Sequence, residues 1–256
     1  NSAKQLILIT GLLAVIIMMF CLIFNKSLLK LIFGSIDYEI MKQAQIYFYI
    51  TALSYPFIAL YNSGAALFRV MGNSKISMIN ALIMNIVNIV LNSIFIFGFN
   101  LGVLGSGLAT LCARILTGTI ILLMLKNKEN SIYINNYHTF KWNWIYIKKI
   151  LLIGVPAGLE NGMFQLGKIL VQSLIATFGT YAIAANAVSN NISQMMIIPG
   201  SAIGLALITI VGQCVGANKY DQAIYYTKKL LKMVYKWMII LCVLSIVLCP
   251  ILLKLY

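Results

Sequence analysis

The sequence predicts an all-α membrane protein that crosses the bilayer several times. Of its 256 residues, 61% are hydrophobic and only 9% are charged. Soluble domains carry about 25% charged residues, so this composition cannot cover a water-facing surface. The apolar residues occur in long runs, and no segment alternates as a strand of a membrane barrel would. The composition therefore excludes a soluble enzyme, a disordered chain and a nucleic-acid-binding protein, despite a formal net charge of +14.

Charge-poor runs place seven predicted transmembrane helices, each near the length of about 20 residues that spans a bilayer. The N-terminal group contains Leu6–Phe24, Ile46–Phe68, Ile76–Phe99 and, after a glycine-rich turn from Gly98 to Gly107, a run ending near Leu125. The C-terminal group contains runs at about 150–178, about 182–216 and from Lys236 to Leu255. One long polar loop, 126–149, separates the two groups.

Basic residues predict how these helices are oriented. Thirteen of the nineteen lysines and arginines flank the helices on one side, and four flank them on the other. Loops rich in lysine stay on the cytoplasmic side, so residue 1 and the loop 126–149 are predicted to be cytoplasmic. The net charge is thus a topology signal, and it requires no anionic partner.

The two ends of the chain carry a repeated segment. Residues 3–32 align without a gap on residues 227–256, at an offset of 224, with Lys4 on Lys228 and with LLKL at 28–31 on the same letters at 252–255. Six helix steps separate the copies, and this even number predicts parallel repeats. We therefore expect a parent protein of two six-helix halves and about 450 residues, of which this chain holds helices three to nine.

Several strings resemble the multidrug and toxic compound extrusion (MATE) transporters. They are Pro56 with FRVMGNSK (68–75), LNSIFIFGFNLGVLGSGLAT (91–110), GVPAGLENGMFQLGK (154–168) and ALITIVGQCVGANKYDQA (206–223), the last being similar to the family's VGQ signature. The resemblance implies a monomeric, two-lobed, twelve-helix exporter of the plasma membrane that uses Na⁺ or H⁺ to expel amphipathic cations. On that reading, 1–127 belongs to the N-terminal lobe, 128–147 is the interlobe loop and 148–256 belongs to the C-terminal lobe.

Glu160 is the candidate for ion coupling, because it is the only acidic residue inside a predicted span. A charge at membrane depth is costly and normally faces a cavity or a partner. Apolar surroundings favour the neutral form of an acid, which suits Glu160 to bind a proton or Na⁺. The alternative is a structural ion pair that never titrates. In one branch of the resembled family, the acid of this helix stands one turn later, where this sequence has Phe164.

Two basic residues inside predicted spans are candidate intramembrane charge partners. Lys168 follows Glu160 by eight residues, about 12 Å along a helix and about 80° around it, so the two share a face without touching. Lys168 either balances Glu160 through water or extends to a lipid headgroup. Arg114 cannot lose its charge. It therefore needs a partner on another helix or a wet cavity, and substrate contact is the second option.

Two stripes of amides are candidates for cavity lining. One stripe lies on the fifth helix of the parent and the other on the eighth: Asn85, Asn88 and Asn92; Asn186, Asn190 and Gln194. Hydrogen bonding between helices is the alternative for both, and it is favoured for the first stripe. The glycine pairs 158/162, 200/204 and 212/216 predict close helix packing. Three prolines, Pro56, Pro156 and Pro199, are predicted kink sites.

The sequence predicts no enzymatic, cofactor or metal site. The string GxxxxGK at 162–168 resembles the start of a phosphate-binding loop, but Ile169 replaces the required Ser or Thr and no strand precedes it. ATP binding is therefore excluded, and transport energy has to come from an ion gradient or another subunit. Two alternatives to drug efflux remain open at this stage: a flippase of lipid-linked saccharides or precursors from the same superfamily, and a non-transporting membrane subunit.

Overall fold

The computed structural model describes residues 2–33, 38–134 and 143–253, and within these ranges it is all-helical. The helices are α1 (Ser2–Ile23), α2 (Asn25–Phe33), α3 (Tyr38–Leu53), α4 (Tyr55–Val70), α5 (Ser74–Ser93), α6 (Gly102–Met124), α7 (Trp144–Ala176), α8 (Thr180–Gly216) and α9 (Tyr220–Leu253). A π-helical turn, Ile94–Gly98, extends α5. Residue 1, part of the polar loop (135–142) and the last two positions of the final predicted run (254 and 255) lie outside the described residues.

Five described helices are long and apolar enough to cross a membrane: Ser2–Ile23, Ser74–Gly98, Gly102–Met124, Tyr181–Gly216 and Tyr220–Leu248. They coincide with five of the seven predicted spans. The predicted span 46–68 instead falls on two shorter helices, α3 and α4. The predicted span 150–178 overlaps α7, which ends at Ala176 and whose apolar sequence is interrupted by several polar residues. The predicted class, an all-α protein with several membrane-spanning helices, is confirmed.

The division between α3 and α4 follows from Pro56. Proline has no backbone N–H, so the carbonyl of Ala52, four residues earlier, lacks its usual helical donor. Backbone hydrogen bonds continue beside this break: the Ser54 N–H donates to the Thr51 carbonyl at 3.0 Å, and the Ile58 N–H donates to the Ser54 carbonyl at 3.1 Å. Of the three predicted kink sites, only Pro56 divides a helix, because Pro156 and Pro199 lie inside the continuous α7 and α8.

Two of the resembled strings form the turns that end helices. In FRVMGNSK, Gly72 has φ +80° and follows α4. In VGQCVGANK, Asn218 has φ +58° and follows α8, where the Lys219 N–H donates to the Cys214 carbonyl at 2.9 Å. The left-handed backbone region is open to glycine and tolerated by asparagine, so these residue types set where the two helices end.

The chain divides into two compact units, 1–157 and 158–256. The core of the first unit is built by α1, α4 and α6 around Phe68, Ile121 and Leu125, all fully buried. Ile134 completes this core, because its N–H donates to the Leu125 carbonyl at 2.9 Å and folds the chain back after α6. The start of the predicted interlobe loop, 128–147, thus belongs to a packed core. The lobe boundaries themselves stay a prediction.

Close packing in the first unit depends on glycines of α4 and α6. A Cβ on Gly64 would lie 2.9 Å from the side chain of Ile121, and a Cβ on Gly118 would lie 2.9 Å from the carbonyl oxygen of Phe57. The predicted glycine pairs of α7 and α8 have no such neighbours: of those six, only Gly200 has a heavy atom within 4 Å, the sulfur of Met238 on α9. Close packing at those pairs is therefore not visible among the described residues.

The second unit is much less enclosed. Here α8 packs against α9, while every side chain of α7 from Leu152 to Leu174 is exposed. Large apolar residues such as Phe164 and Leu170 are 64% and 71% exposed. Single exposed apolar residues are ordinary on a protein surface, but an apolar helix exposed all round needs lipid or further helices around it.

We predict that Gly118→Ala destabilises the first unit. Alanine normally stabilises a helix by about 0.5–1 kcal/mol relative to glycine. Here the methyl group would meet a backbone carbonyl that cannot rotate away, and such overpacking costs about 1–3 kcal/mol. The net loss is expected to lower the apparent Tm of the detergent-solubilised protein by a few degrees. The measurement is a thermal ramp followed by size-exclusion chromatography.

The matched control is Gly154→Ala, also mid-helix, where a Cβ would meet nothing within 4 Å. This variant should be neutral or slightly stabilising. Equal Tm values for the two variants would show that the close approach of α4 and α6 at Gly118 is not required.

Candidate functional site

Arg114 is held at the break between α3 and α4. It projects from the middle of α6, and its Nη1 donates to Ser54 Oγ at 2.6 Å. The same hydroxyl donates to the Thr51 carbonyl at 2.6 Å, and Ser54 is fully buried. The guanidinium thus connects α6 to the position where Pro56 interrupts the neighbouring helix. The partner of Arg114 is therefore a hydroxyl rather than an acid, and its role as an intramembrane charge partner stays a prediction.

The amide stripe of α5 forms a hydrogen-bonded ladder to α6. Asn92 Nδ2 donates to Asn88 Oδ1 at 2.9 Å, Asn88 Nδ2 donates to Thr110 Oγ1 at 3.3 Å, and Thr110 Oγ1 donates to the Ser106 carbonyl at 3.0 Å. Interhelical contacts of this kind are typically worth less than about 2 kcal/mol each. Asn88 and Asn92 are thus held in a hydrogen-bonded contact between α5 and α6. Asn92 Oδ1 is buried without a hydrogen-bond partner among the described groups.

Asn85 differs from the other members of its stripe. It is exposed, and no described residue forms a hydrogen bond with it. Helical spacing alone put Asn85 with Asn88 and Asn92, since the three positions fall within about 60° on an ideal helix. The packing of α6 against α5 covers the other two and leaves Asn85 at an open surface, where it remains a candidate for cavity lining.

Glu160 lies near the middle of α7, with its side chain exposed. Among the described residues it forms no ion pair with Lys168 or with any other cation. Lys168 instead places its Nζ 4.9 Å from the centroid of the Phe164 ring, one turn earlier on α7. That distance is within the range of a cation–π contact. The aromatic residue at the position where one branch of the resembled family has its acid thus contacts the neighbouring lysine.

The amide stripe of α8 also divides. Asn186 is partly buried, and its Nδ2 donates to Gln172 Oε1 of α7 at 2.6 Å. Asn190 and Gln194 are exposed, and neither forms a hydrogen bond with a described residue. The first amide therefore connects two helices, while the next two face open space on the same unit as Glu160.

Sequence reasoning missed several polar partners: Ser54, Asn80, Thr110 and Gln172. Asn80 is buried on α5, where its Nδ2 donates to the Thr117 carbonyl of α6 at 3.1 Å. Serine and threonine inside apolar helices usually bond their own helix, so they give little signal of a role between helices. The sequence shows Gln172 as a polar residue of α7, but no sequence pattern predicts that it contacts Asn186. The described residues contain no cluster of acidic, histidine or cysteine side chains that could hold a metal ion.

Comparisons with known proteins agree with this architecture. A family model described as MatE matches residues 1–94 and 156–256. The chain is 28% identical over 222 residues to the probable multidrug resistance protein YoeA of Bacillus subtilis (strain 168), covering 83% of this chain and 47% of that protein. It is 31% identical over 169 residues to the multidrug export protein MepA of Staphylococcus haemolyticus (strain JCSC1435), covering 65% of this chain and 37% of that protein.

Solved structures show the same fold. A crystal structure of MATE in complex with MaL6 covers 100% of this chain with a TM-score of 0.90 at 21% identity. The outward-facing conformation of a multidrug resistance MATE family transporter covers 100% with a TM-score of 0.89 at 22% identity. In both cases the match takes in 56% of the solved chain. This chain therefore spans about half the length of the relatives it matches.

We predict that Ser54→Ala destabilises the protein by about 1–3 kcal/mol, because the Arg114 guanidinium would lose a buried acceptor. The matched control is Ser63→Ala. Ser63 is also buried in this unit, but its hydroxyl bonds only the Ala59 and Leu60 carbonyls of its own helix, so its removal leaves no charge without an acceptor. The measurement is thermal stability in detergent.

A double-mutant cycle with Arg114→Met isolates the interaction. In the methionine background, Ser54→Ala should cost no more than Ser63→Ala. An undiminished cost in that background would mean that Ser54 stabilises the break by itself, without the guanidinium.

Proposed function

The chain belongs to the MatE family, and from this premise we propose that it is part of a secondary transporter that exports amphipathic cations in exchange for Na⁺ or H⁺. The family consists of transporters rather than enzymes. The protein works by alternating access, as a monomer in the plasma membrane, with residue 1 and the segment 126–149 on the cytoplasmic side. The names of its relatives, which include multidrug resistance and multidrug export proteins, support the choice of substrate class.

The observation that carries the proposal is the position of Glu160. Of the other acidic residues that the structure describes, Glu39 and Asp221 lie in the first turn of a helix and Glu129 lies in the segment after α6. Glu160, by contrast, lies midway along a 33-residue helix. A carboxylate is retained at such a depth when it meets a cavity, a partner or an ion. With no cation of the described residues paired to it, Glu160 is available to an ion from solution.

The contact between Lys168 and Phe164 supports this role. A lysine paired directly with Glu160 would favour a permanently charged carboxylate and oppose its neutralisation by a proton. The aromatic ring gives the ammonium group a favourable neighbour on its own helix. Glu160 is then able to alternate between a charged state and a state neutralised by H⁺ or Na⁺. A conformational equilibrium responds to such a change only when the two conformations differ in affinity for the ion.

Exposed amides supply the second part of the proposal. Asn190 and Gln194 on α8, and Asn85 on α5, have donors and acceptors that no described residue occupies. Groups of this type line a wet cavity without fixing one substrate shape, and an amide oxygen can accept from a cationic drug or coordinate a cation. Asn88, Asn92 and Asn186 are held in interhelical contacts and contribute to such a cavity mainly by positioning the helices.

We predict that Glu160→Gln uncouples transport from the ion gradient. The full-length protein is reconstituted in proteoliposomes with ethidium as the amphipathic cation, under a proton gradient or a sodium gradient. Loss of the ionisable group should lower substrate-dependent ion flux by about tenfold or more, within the usual range of a coupling free energy. The gradient that drives ethidium movement in the wild-type protein identifies the coupling ion.

Glu129→Gln is the matched control. Glu129 lies in the segment after α6 and accepts a hydrogen bond from Asn127 Nδ2 at 3.2 Å, away from any predicted span. It should transport at the wild-type rate. Full coupled transport by Glu160→Gln, with normal membrane insertion, would contradict the coupling role. No ethidium movement by the wild-type protein under either gradient would contradict the efflux function itself.

A further inference from the structure

One face of α1 forms the wall of an apolar groove in the first unit. Residues at spacings of three and four share this face: Lys4, Ile7, Leu8, Gly11, Leu12 and Val15. Leu60 of α4, Leu122 of α6 and Ile134 close the other sides, and the cavity has a volume of about 480 Å³. That volume is within the range of about 300–1,000 Å³ that is typical of sites for small ligands.

The groove exists because α1 and α4 approach each other at a glycine. A Cβ on Gly11 would be in ordinary contact with Leu60 Cδ2, at 3.5 Å, so a longer side chain there would extend into the cavity. Ile7 and Ile134 are buried at its floor. Leu8, Leu12 and Val15 are 41%, 48% and 42% exposed, so the open side of the groove lies along the apolar outer surface of α1. This apolar lining suits an acyl chain, and α1 is itself long and apolar enough to cross a membrane.

Charge decides which lipid fits. Lys4 is the one charged residue among the nine that line the groove, and it stands at the end of α1 that is predicted to be cytoplasmic. A cation at this end disfavours the amphipathic cations proposed as transport substrates and favours an anionic headgroup. Basic pockets between transmembrane helices on the cytoplasmic side are typical sites for anionic lipid headgroups.

We propose that this groove binds an anionic phospholipid of the cytoplasmic leaflet, with one acyl chain lying along Leu8, Leu12 and Val15 and the phosphate beside Lys4. The site is distinct from Glu160 and from the exposed amides, because none of these residues lines the groove. It does not depend on the transport cycle, and a protein without efflux activity would bind the lipid equally well.

The test measures binding of phosphatidylglycerol and phosphatidylcholine with identical acyl chains, each spin-labelled on one chain, to the detergent-solubilised full-length protein. We expect a motion-restricted lipid component in the electron paramagnetic resonance spectrum that favours phosphatidylglycerol. Lys4→Gln should lower this preference about fivefold, the factor that corresponds to about 1 kcal/mol per basic residue near an anionic membrane surface. Leu12→Trp, which fills the groove from its exposed side, should reduce binding of both lipids.

Two matched variants control for general effects. Lys75→Gln removes an exposed lysine on the predicted cytoplasmic side that does not line the groove, and Ile17→Trp adds the same bulk to an exposed position on a different face of α1. Neither should change lipid binding. Equal retention of the two lipids by the wild-type protein, an effect of Lys75→Gln as large as that of Lys4→Gln, or no effect of Leu12→Trp would overturn the proposal. Exclusion of both lipids from the wild-type protein, as if another protein segment covered the groove, would also overturn it.

Discussion

The hydrogen bond from Arg114 to Ser54 lies where an apolar environment makes two demands on this chain. A guanidinium cannot be left without an acceptor at membrane depth, and a helix interrupted by Pro56 needs its backbone groups satisfied within the protein. Ser54 meets the first need, because its hydroxyl accepts from Arg114, and it contributes to the second by donating to the Thr51 carbonyl at the break. The contact fixes where α6 crosses the break between α3 and α4, and the remaining packing of the first unit is arranged around that crossing.

Small residues make this crossing possible. Gly118 lies against the Phe57 carbonyl, and Gly64 lies against Ile121, so backbones come close enough for short side chains to reach between helices. The ladder from Asn92 through Asn88 to Thr110, and the bond from Asn80 to Thr117, connect α5 to α6 in the same way. Packing and hydrogen bonding therefore depend on each other, since bulkier residues on α6 would separate the helices and leave these polar groups unsatisfied.

The residues proposed for transport lie on helix surfaces where packing and hydrogen bonding between helices are sparse. Glu160 is on α7, whose side chains are exposed along most of its length, and Asn190 and Gln194 face open space on α8. A group that exchanges ions or contacts varied substrates must be accessible and free of a permanent partner, so its surroundings cannot be as satisfied as those of Arg114. The first unit also contains a groove with a single lysine, Lys4, whose chemistry suits a lipid and not a cationic substrate.

The sequence by itself determined the class of the protein, the order of its helices and the depth of its charges. Composition and apolar run length are enough for these, because a bilayer demands about 20 apolar residues per span and penalises every charge within it. It also identified Glu160, Lys168 and Arg114 as exceptional, but it predicted kinks at all three prolines and did not single out Pro56 as the one that divides a helix. Only the tertiary structure decided which polar groups meet. Arg114 donates to Ser54, and Asn186 donates to Gln172. Asn88 and Asn92 form hydrogen bonds, whereas Asn85 of the same stripe is exposed. Ile134, which belongs to a loop predicted to be polar, packs into the core of the first unit. The physical reason is that helical periodicity gives the face on which a residue lies, while the residue it contacts depends on the crossing angle and closeness of a second helix, which distant glycines set.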